Sequence, residues 1–148
     1  MDHTAIPDLL SRYFAAIDDD ALEIELLRSV FTDDCRVVRP HGDPIVGPDA
    51  LLDAQMASFA RFSATQHRLT DVLVDTDDDR ARIRANLVAI HLWAPDHLPP
   101  TALEAHFGAG SVVRAEARDT PDGWRIESLA VTPTWRSGSG MGAMLATR

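Results

Sequence analysis

The sequence predicts an α+β domain in which a strongly bent antiparallel sheet wraps around N-terminal helices, forming a cone that encloses a pocket. Two helical segments, a short strand and a third helix come first, and four strands joined by turns follow. Helices and strands are thus segregated along the chain, as in α+β folds and unlike alternating βαβ folds. The clearest strand signal is RARIRANLVAIHLW at residues 80–93, which alternates without glycine or proline. A bent sheet packed on helices leaves a pocket between the layers.

The three helices are predicted from apolar spacing and from the residues that cap them. Helix 1 covers residues 4–17, where Thr4 can cap the N-terminus. The acidic run at residues 18–20 ends helix 1 and can cap helix 2. Helix 2 is marked by the apolar residues Leu22, Leu26, Leu27, Val30 and Phe31. Helix 3 opens at residues 47–49, and its inner face is predicted to comprise Leu51, Leu52, Met56, Phe59 and Phe62.

The strands are predicted at residues 35–39, 66–75, 80–93, 104–118 and 124–135. Asp33 and Asp34 are interpreted as the turn that leads from helix 2 into the first strand. Gly108 and Gly110 mark bulges or bends in the fourth. We expect one domain over residues 1–136 and a mobile, Gly/Ser-rich tail over residues 137–148.

The strand at residues 80–93 has one apolar face that ends in a histidine. This face comprises Ile83, Ala85, Leu87, Ala89, His91 and Trp93. The opposite face begins with arginines and turns apolar at Val88, Ile90 and Leu92, so we expect the second half of the strand to be covered on both sides. His91 is therefore either a satisfied core residue or the polar group of a pocket.

Composition excludes several classes of partner. The net charge is −9 and all 14 basic residues are arginine, so the chain lacks the clustered positive surface that nucleic acids require. No apolar run approaches the roughly 20 residues that span a bilayer, and the N-terminus lacks the pattern of a signal peptide. We expect no nucleic-acid or membrane partner, a cytoplasmic location, and a reduced Cys35 that packs as a small hydrophobe.

The chain resembles the nuclear-transport-factor-2-like superfamily in its SnoaL-like branch. The resemblance rests on the order of elements and on the segments GPDALL, DGWRI and TPTWRSG, and it covers residues 6–138. It implies the cone-shaped α+β fold. The superfamily includes hydrolases, isomerases, dehydratases, polyketide cyclases and non-catalytic binding or dimerisation modules, so the fold alone does not define the activity.

Within this branch the chain is similar to scytalone dehydratase-type enzymes, whose acid–base residues are an aspartate at the end of the first helix and two histidines on facing strands. Asp18, in AAIDDDAL, matches the aspartate, and His67, in ATQHRL, and His91, in NLVAIHLW, match the histidines. The Ser/Asn pair of these enzymes would fall near Val112 and Arg114 and is not matched. The resemblance implies that Asp18 orients His67 as general base and that His91 is the general acid or electrophile.

Elimination chemistry is compatible with these residue types. It needs a base for a proton next to a carbonyl and an acid for the leaving hydroxyl, and a histidine can serve as either near neutral pH. Candidate substrate-binding residues are Tyr13, Phe14, Phe59, Trp93, Phe107 and Trp135. An aromatic lining favours a flat, hydrophobic cyclic ligand such as a polyketide or steroid-like ring. The remaining histidines are interpreted as surface residues: His3 and His41 as solvated, and His97 and His106 on the surface or at the pocket mouth.

The sequence favours a cofactor-independent dehydratase, isomerase or cyclase that uses Asp–His acid–base chemistry. The alternatives are a pocket protein that binds a small apolar molecule without chemistry and a dimerisation module. A homodimer through the sheet face is expected, with Val113, Ala115, Ala117, Leu129 and Val131 as candidate interface residues. Two histidines and one carboxylate can also hold iron or zinc, but no close-spaced ligand motif is present, and we expect no metal.

Overall fold

The computed structural model describes residues 5–97 and 106–140. The helices are α1 (Ala5–Asp18), α2 (Ile24–Val30) and α3 (Pro48–Phe59), followed later by a short 3-10 turn at Pro95–His97. The strands are β1 (Phe31–Val38), β2 (Ile45–Val46), β3 (Phe62–Asp77), β4 (Arg80–Trp93), β5 (His106–Thr120) and β6 (Gly123–Gly138). Of the described helices, none has the length and apolar character needed to cross a bilayer.

The six strands form one curled, unclosed sheet in the order β2-β1-β6-β5-β4-β3. All neighbouring strands are antiparallel except β1 and β6, which are parallel. This parallel pair is possible because α3 and the hairpin β3–β4 separate β1 from β6 along the chain. The predicted α+β class and the cone-shaped, strongly bent sheet are confirmed.

Helix α1 packs against the inner face of the sheet and carries the largest share of the helical core. Its residues Ile6, Leu9, Leu10 and Tyr13 are almost completely buried. They recur at helical spacing, so they lie on one side of the helix and meet the inward face of the sheet. The last residue of α1, Asp18, thereby reaches the edge strand β3.

The boundary between α2 and β1 differs from the prediction. Phe31 is the first residue of β1 and pairs with Ile126 of β6, whereas the sequence placed it in helix 2. Asp33 and Asp34 lie within β1 and not in a turn. The register of β1 against β6 shifts between Phe31 and Arg36, so an irregular strand accommodates the two exposed acids.

The predicted inner face of helix 3 is wrong at two positions. Met56 is half exposed, and Phe62 is not helical because it begins β3 and pairs with Trp93. Helix α3 ends at Phe59, and from Phe62 onward the chain pairs with β4 in the long β3–β4 hairpin. The short strand β2 was not among the predicted strands, and it lies in the proline- and glycine-containing segment between β1 and α3.

The burial of β4 confirms the predicted inward face, from Ile83 to Trp93, but not the predicted cover on the other face. Ile90 is 38% and Leu92 is 44% exposed. The interface residues proposed on the late strands are also wrong, because Val113 and Leu129 belong to the buried core. Ala115 and Ala117 are buried in the same core, and Val131 packs against it.

Glycine at position 110 makes room for a tryptophan. A Cβ at Gly110 would lie 1.9 Å from Nε1 of Trp135, and the pairing of β5 with β6 shifts between Gly110 and Ser111. This confirms a bend at one of the two predicted glycines. Strand β6 continues to Gly138, so the first residues of the predicted tail are in the sheet, and residues 141–148 lie outside the described residues.

Candidate active site

Asp18 and His67 form a close side-chain pair where α1 ends against β3. The distance from Asp18 Oδ1 to His67 Nδ1 is 2.6 Å. The backbone N–H of His67 donates to Asp18 Oδ2 at 2.8 Å, and the Thr65 hydroxyl donates to Oδ1 at 2.9 Å. The His67 side chain is 4% exposed and that of Asp18 is 18% exposed. Three donors from one strand therefore fix the carboxylate.

The electrostatics of the pair favour an ionised Asp18. Burial by itself would raise the pKa of Asp18, but hydrogen bonds from the ring and backbone of His67, the charge of His67 and the Thr65 hydroxyl together hold it below its ordinary value. An ionised carboxylate only accepts hydrogen bonds, so Nδ1 of His67 carries a proton. In the neutral ring this leaves the lone pair on Nε2.

His91 has a different partner. Its Nδ1 donates to the backbone oxygen of Phe107 at 3.0 Å, because a carbonyl can only accept. Burial, with smaller effects from the charges of His67 and Arg61, lowers the pKa of His91 to about 4, although the Phe107 carbonyl acts in the opposite direction. His91 is therefore neutral at pH 7, and its Nε2 is a hydrogen-bond acceptor.

The two imidazoles lie in one aromatic cavity. Their ring centroids are 5.6 Å apart and the planes are nearly perpendicular, at 87°. Phe14 stacks on His67 at 5.2 Å, Phe59 stacks on His91 at 6.0 Å, and Phe62 is 4.8 Å from His91. The space inside the cavity that can hold the centre of a water-sized sphere is about 90 Å³. Aromatic rings therefore surround both imidazoles closely.

Four of the six predicted substrate-binding residues line this cavity and two do not. The four are Tyr13, Phe14, Phe59 and Phe107. Trp93 lies behind Phe62, with ring centroids 4.7 Å apart, and its Nε1 donates to the backbone oxygen of Ser139. Trp135 covers Gly110 and is 48% exposed, because the bulge in β6 turns it to the outer face of the sheet.

Tyr13 has a buried partner that the sequence did not indicate. Nε2 of Gln55, on α3, donates to the Tyr13 hydroxyl at 2.6 Å. Burial raises the pKa of Tyr13 to about 12, against the opposing effects of the Gln55 hydrogen bond and the Arg39 charge. Tyr13 thus stays protonated, and because its oxygen accepts from Gln55, its own proton remains available as a donor.

Charged residues at the cavity mouth were also missed. Arg39, His41 and Arg136 line the cavity, and the prediction of a solvated His41 is wrong because the residue is half buried. One feature of the sequence could have indicated these residues: positions 39–41 directly follow β1, a strand of the core. His106 is half buried and is not part of the lining, and the side chain of His97 and the whole of His3 lie outside the described residues.

A metal site is not assembled in the part of the chain that the structure describes. No group of three or more His, Cys, Asp and Glu side chains in residues 5–97 and 106–140 is arranged to hold an ion. Asp18 instead directs one oxygen to the His67 ring and the other to the His67 backbone.

These features define a small α+β cone protein with an aromatic interior cavity and paired ionisable groups in its wall. The chain belongs to the SnoaL-like domain family, whose profile matches residues 1–130. No curated protein matches it.

Solved structures share the fold over almost the whole chain. The Kfla4162 protein from Kribbella flavida is 30% identical, with 92% of this chain and 93% of that chain covered and a TM-score of 0.82. A scytalone dehydratase-like protein from Novosphingobium aromaticivorans is 18% identical, with 93% and 87% covered and a TM-score of 0.76. The hexachlorocyclohexane dehydrochlorinase LinA-type3 from Novosphingobium barchaimii is 16% identical, with 93% and 89% covered and a TM-score of 0.77. The last two similarities show the fold alone.

Proposed function

We propose that the protein is a cofactor-independent enzyme that catalyses an elimination on a cyclic, largely apolar substrate, with the Asp18–His67 pair as general base. The observation that carries this proposal is the 2.6 Å contact between Asp18 and a His67 ring that lines the aromatic cavity. A carboxylate that fixes the tautomer of a histidine and stabilises its charged form is a recurrent way to make a base.

The reaction can be written with this pair alone. Nε2 of neutral His67 removes a proton from the carbon beside a carbonyl, and the electron pair of that C–H bond becomes the new C=C bond. The C–O bond to the leaving hydroxyl breaks with its electrons on oxygen. The imidazolium of His67 then gives its proton to that oxygen, so water leaves and the ring returns to its neutral form. Asp18 stays ionised throughout.

Tyr13 and His91 have supporting roles in this scheme. The free hydroxyl proton of Tyr13 can donate to the substrate carbonyl, where negative charge develops as the C–H bond breaks. We assign His91 the role of acceptor and not of acid. With a pKa of about 4, only about one ring in 10³ carries a second proton at pH 7, so its Nε2 is suited to hold a substrate hydroxyl.

The names of two structural neighbours support the reaction class. One is named a dehydratase and another a dehydrochlorinase, and both names describe loss of a small molecule from adjacent carbons. Isomerisation and cyclisation begin with the same proton removal, so the leaving group of the substrate decides between the three outcomes.

Turnover of cyclic β-hydroxy ketones tests the proposal, because formation of the conjugated enone is followed by ultraviolet absorbance. We expect Asp18→Asn to lower kcat by about 10² to 10⁴, the usual effect of losing a positioned base. Asp19→Asn is the matched control, since Asp19 is adjacent and exposed. Equal turnover in the two variants would contradict the role of Asp18.

We also propose that the outer face of the sheet forms a homodimer, because it carries an apolar patch. Trp135 covers Gly110, which pairs with Val88, and the patch continues along β4 through Ile90 to Leu92. These side chains replace the buried residues that the sequence suggested. Sedimentation over a concentration series tests the assembly, with Ile90→Arg expected to give a monomer. A wild-type protein that stays monomeric at high concentration would exclude it.

A further inference from the structure

Two arginines and a histidine, without an acidic counterpart, occupy the mouth of the cavity. Arg39 follows the end of β1, His41 lies two residues later, and Arg136 is in β6. Among the described residues that line the cavity there is no aspartate or glutamate. The chain as a whole has a net charge of −9, so the positive charge of these arginines is opposite in sign to that of the protein.

Two buried nitrogen atoms of this group have no hydrogen-bond partner within the described part of the chain: Nε of Arg39 and Nε2 of His41. Arg39 is held in place by another of its nitrogens, because Nη1 donates to the Ser58 hydroxyl at 2.9 Å. Buried polar atoms in folded proteins are almost always paired, and Nε of Arg39 can only donate, so this wall is suited to a ligand that carries an acceptor.

The positive charges converge on His41. Burial lowers the pKa of His41, and the charges of Arg39, Arg61 and Arg136 lower it further. Burial likewise lowers the pKa of Arg39, and it lowers that of Arg61 together with the charge of Arg39. These groups are therefore close enough to repel one another, and an anion at the mouth would relieve that repulsion.

We infer that the cavity accepts a cyclic substrate bearing a carboxylate, which Arg39, His41 and Arg136 hold at the mouth. The Arg39 guanidinium offers a planar set of donors that matches a carboxylate, and the unpaired Nε belongs to that set. The aromatic walls contact the ring of the substrate, whose reacting carbon lies on the side of His67. This inference rests on the proposed function only in that both use the same cavity. Binding of an anion requires no reaction, so it does not depend on the Asp18–His67 base.

A matched pair of ligands isolates the charge. 2-Naphthoate and 2-naphthamide have nearly the same shape, and only the first carries a negative charge. We expect isothermal titration calorimetry of the wild-type protein to give at least about tenfold tighter binding of 2-naphthoate, with the difference shrinking in high salt. Equal affinity, tighter binding of the amide, or no binding of either ligand would overturn the inference.

Substitutions at the mouth test the assignment of residues. Arg39→Gln and Arg136→Gln should each reduce the preference for 2-naphthoate at least threefold, because they weaken binding of 2-naphthoate more than binding of 2-naphthamide. Arg114→Gln is the control, because it removes the same charge from the exposed face of β5. Circular dichroism verifies the fold of Arg39→Gln. If this variant prefers 2-naphthoate as strongly as Arg114→Gln does, the assignment is wrong.

The two proposals fail in different ways. Loss of the carboxylate preference with Asp18-dependent turnover intact would remove the anion site and leave the elimination chemistry. An intact preference for 2-naphthoate with turnover indifferent to Asp18→Asn would leave a cavity that binds carboxylates without the proposed base.

Discussion

His67 and His91 lie on neighbouring strands with their rings 5.6 Å apart, yet the surrounding structure gives them opposite properties. His67 meets an ionised carboxylate, which accepts the proton of Nδ1 and leaves the lone pair on Nε2 directed away from Asp18. His91 meets a neutral backbone carbonyl and is 5% exposed, so burial keeps its ring uncharged. The partner of Nδ1, and not the residue type, thus separates a proton-accepting base from a neutral hydrogen-bond acceptor.

Replacing each ring by glutamine gives the largest expected contrast. His67→Gln removes the base, so we expect kcat on a cyclic β-hydroxy ketone to fall by about 10² to 10⁴. His91→Gln retains a polar side chain and removes only an acceptor, and the expected loss is about tenfold, the value of one hydrogen bond. Steady-state kinetics on both variants measures the contrast, and a larger loss for His91→Gln would reverse our assignment.

The pH dependence of stability provides the second contrast. Because the pKa of His91 falls from 6.5 to about 4 on folding, the unfolded chain binds the extra proton between these pH values. The stabilisation is complete above pH 6.5 and is lost as the pH falls towards 4, by ~3 kcal/mol at 1.36 kcal/mol per unit. Urea titrations across this range should show the decline in the free energy of unfolding. His91→Phe should remove most of that decline and leave the part that comes from His41, whose pKa is also lowered on folding.

The contribution of Asp18 belongs to a separate pH window. The pKa of Asp18 is lowered on folding, so its stabilisation is present above its ordinary value of 3.8 and is lost only as the pH falls through the lower folded value. A decline above pH 4 that persists unchanged in His91→Phe would therefore show that His91 is not the group that titrates.

Substitution of Thr65 has the smallest expected effect, and it tests how much the hydrogen bond from Thr65 to Asp18 contributes to stability. Thr65→Val removes one hydrogen bond to the carboxylate, and we expect a loss of about 1.5 kcal/mol in the free energy of unfolding. Thr132→Val, at an exposed position on β6, is the control, with an expected change within about 0.5 kcal/mol. Chemical denaturation that gives equal values for the two variants would indicate that the Thr65 hydroxyl adds little to Asp18.

Alternation in the sequence was enough to predict which face of β4 carries His91, because side-chain direction in a strand follows a period of two. Asp18 was assigned to the site by the resemblance to scytalone dehydratase-type enzymes, since the acidic run at residues 18–20 taken alone predicts only a helix end and a cap. The partner of His91 was not predictable, since the Phe107 carbonyl comes from a strand whose register is set by tertiary pairing.

The errors have similar local causes. Trp135 was expected in the cavity, but a one-residue bulge reverses the direction of side chains beyond it. His41 was expected in solvent, yet it lines the cavity together with its neighbours Arg39 and Pro40. Register shifts and loop paths depend on contacts between distant residues, which a single sequence does not display.

Exchange of carbon-bound hydrogen tests the central claim most directly, because it reports proton removal without requiring a leaving group. In D₂O, 2-tetralone takes up deuterium beside its carbonyl, and proton NMR follows the loss of that signal. The wild-type protein and Asp19→Asn should accelerate the exchange above the buffer rate, whereas Asp18→Asn and His67→Gln should not. Wild-type exchange no faster than buffer, or full acceleration by Asp18→Asn, would contradict an Asp18–His67 base.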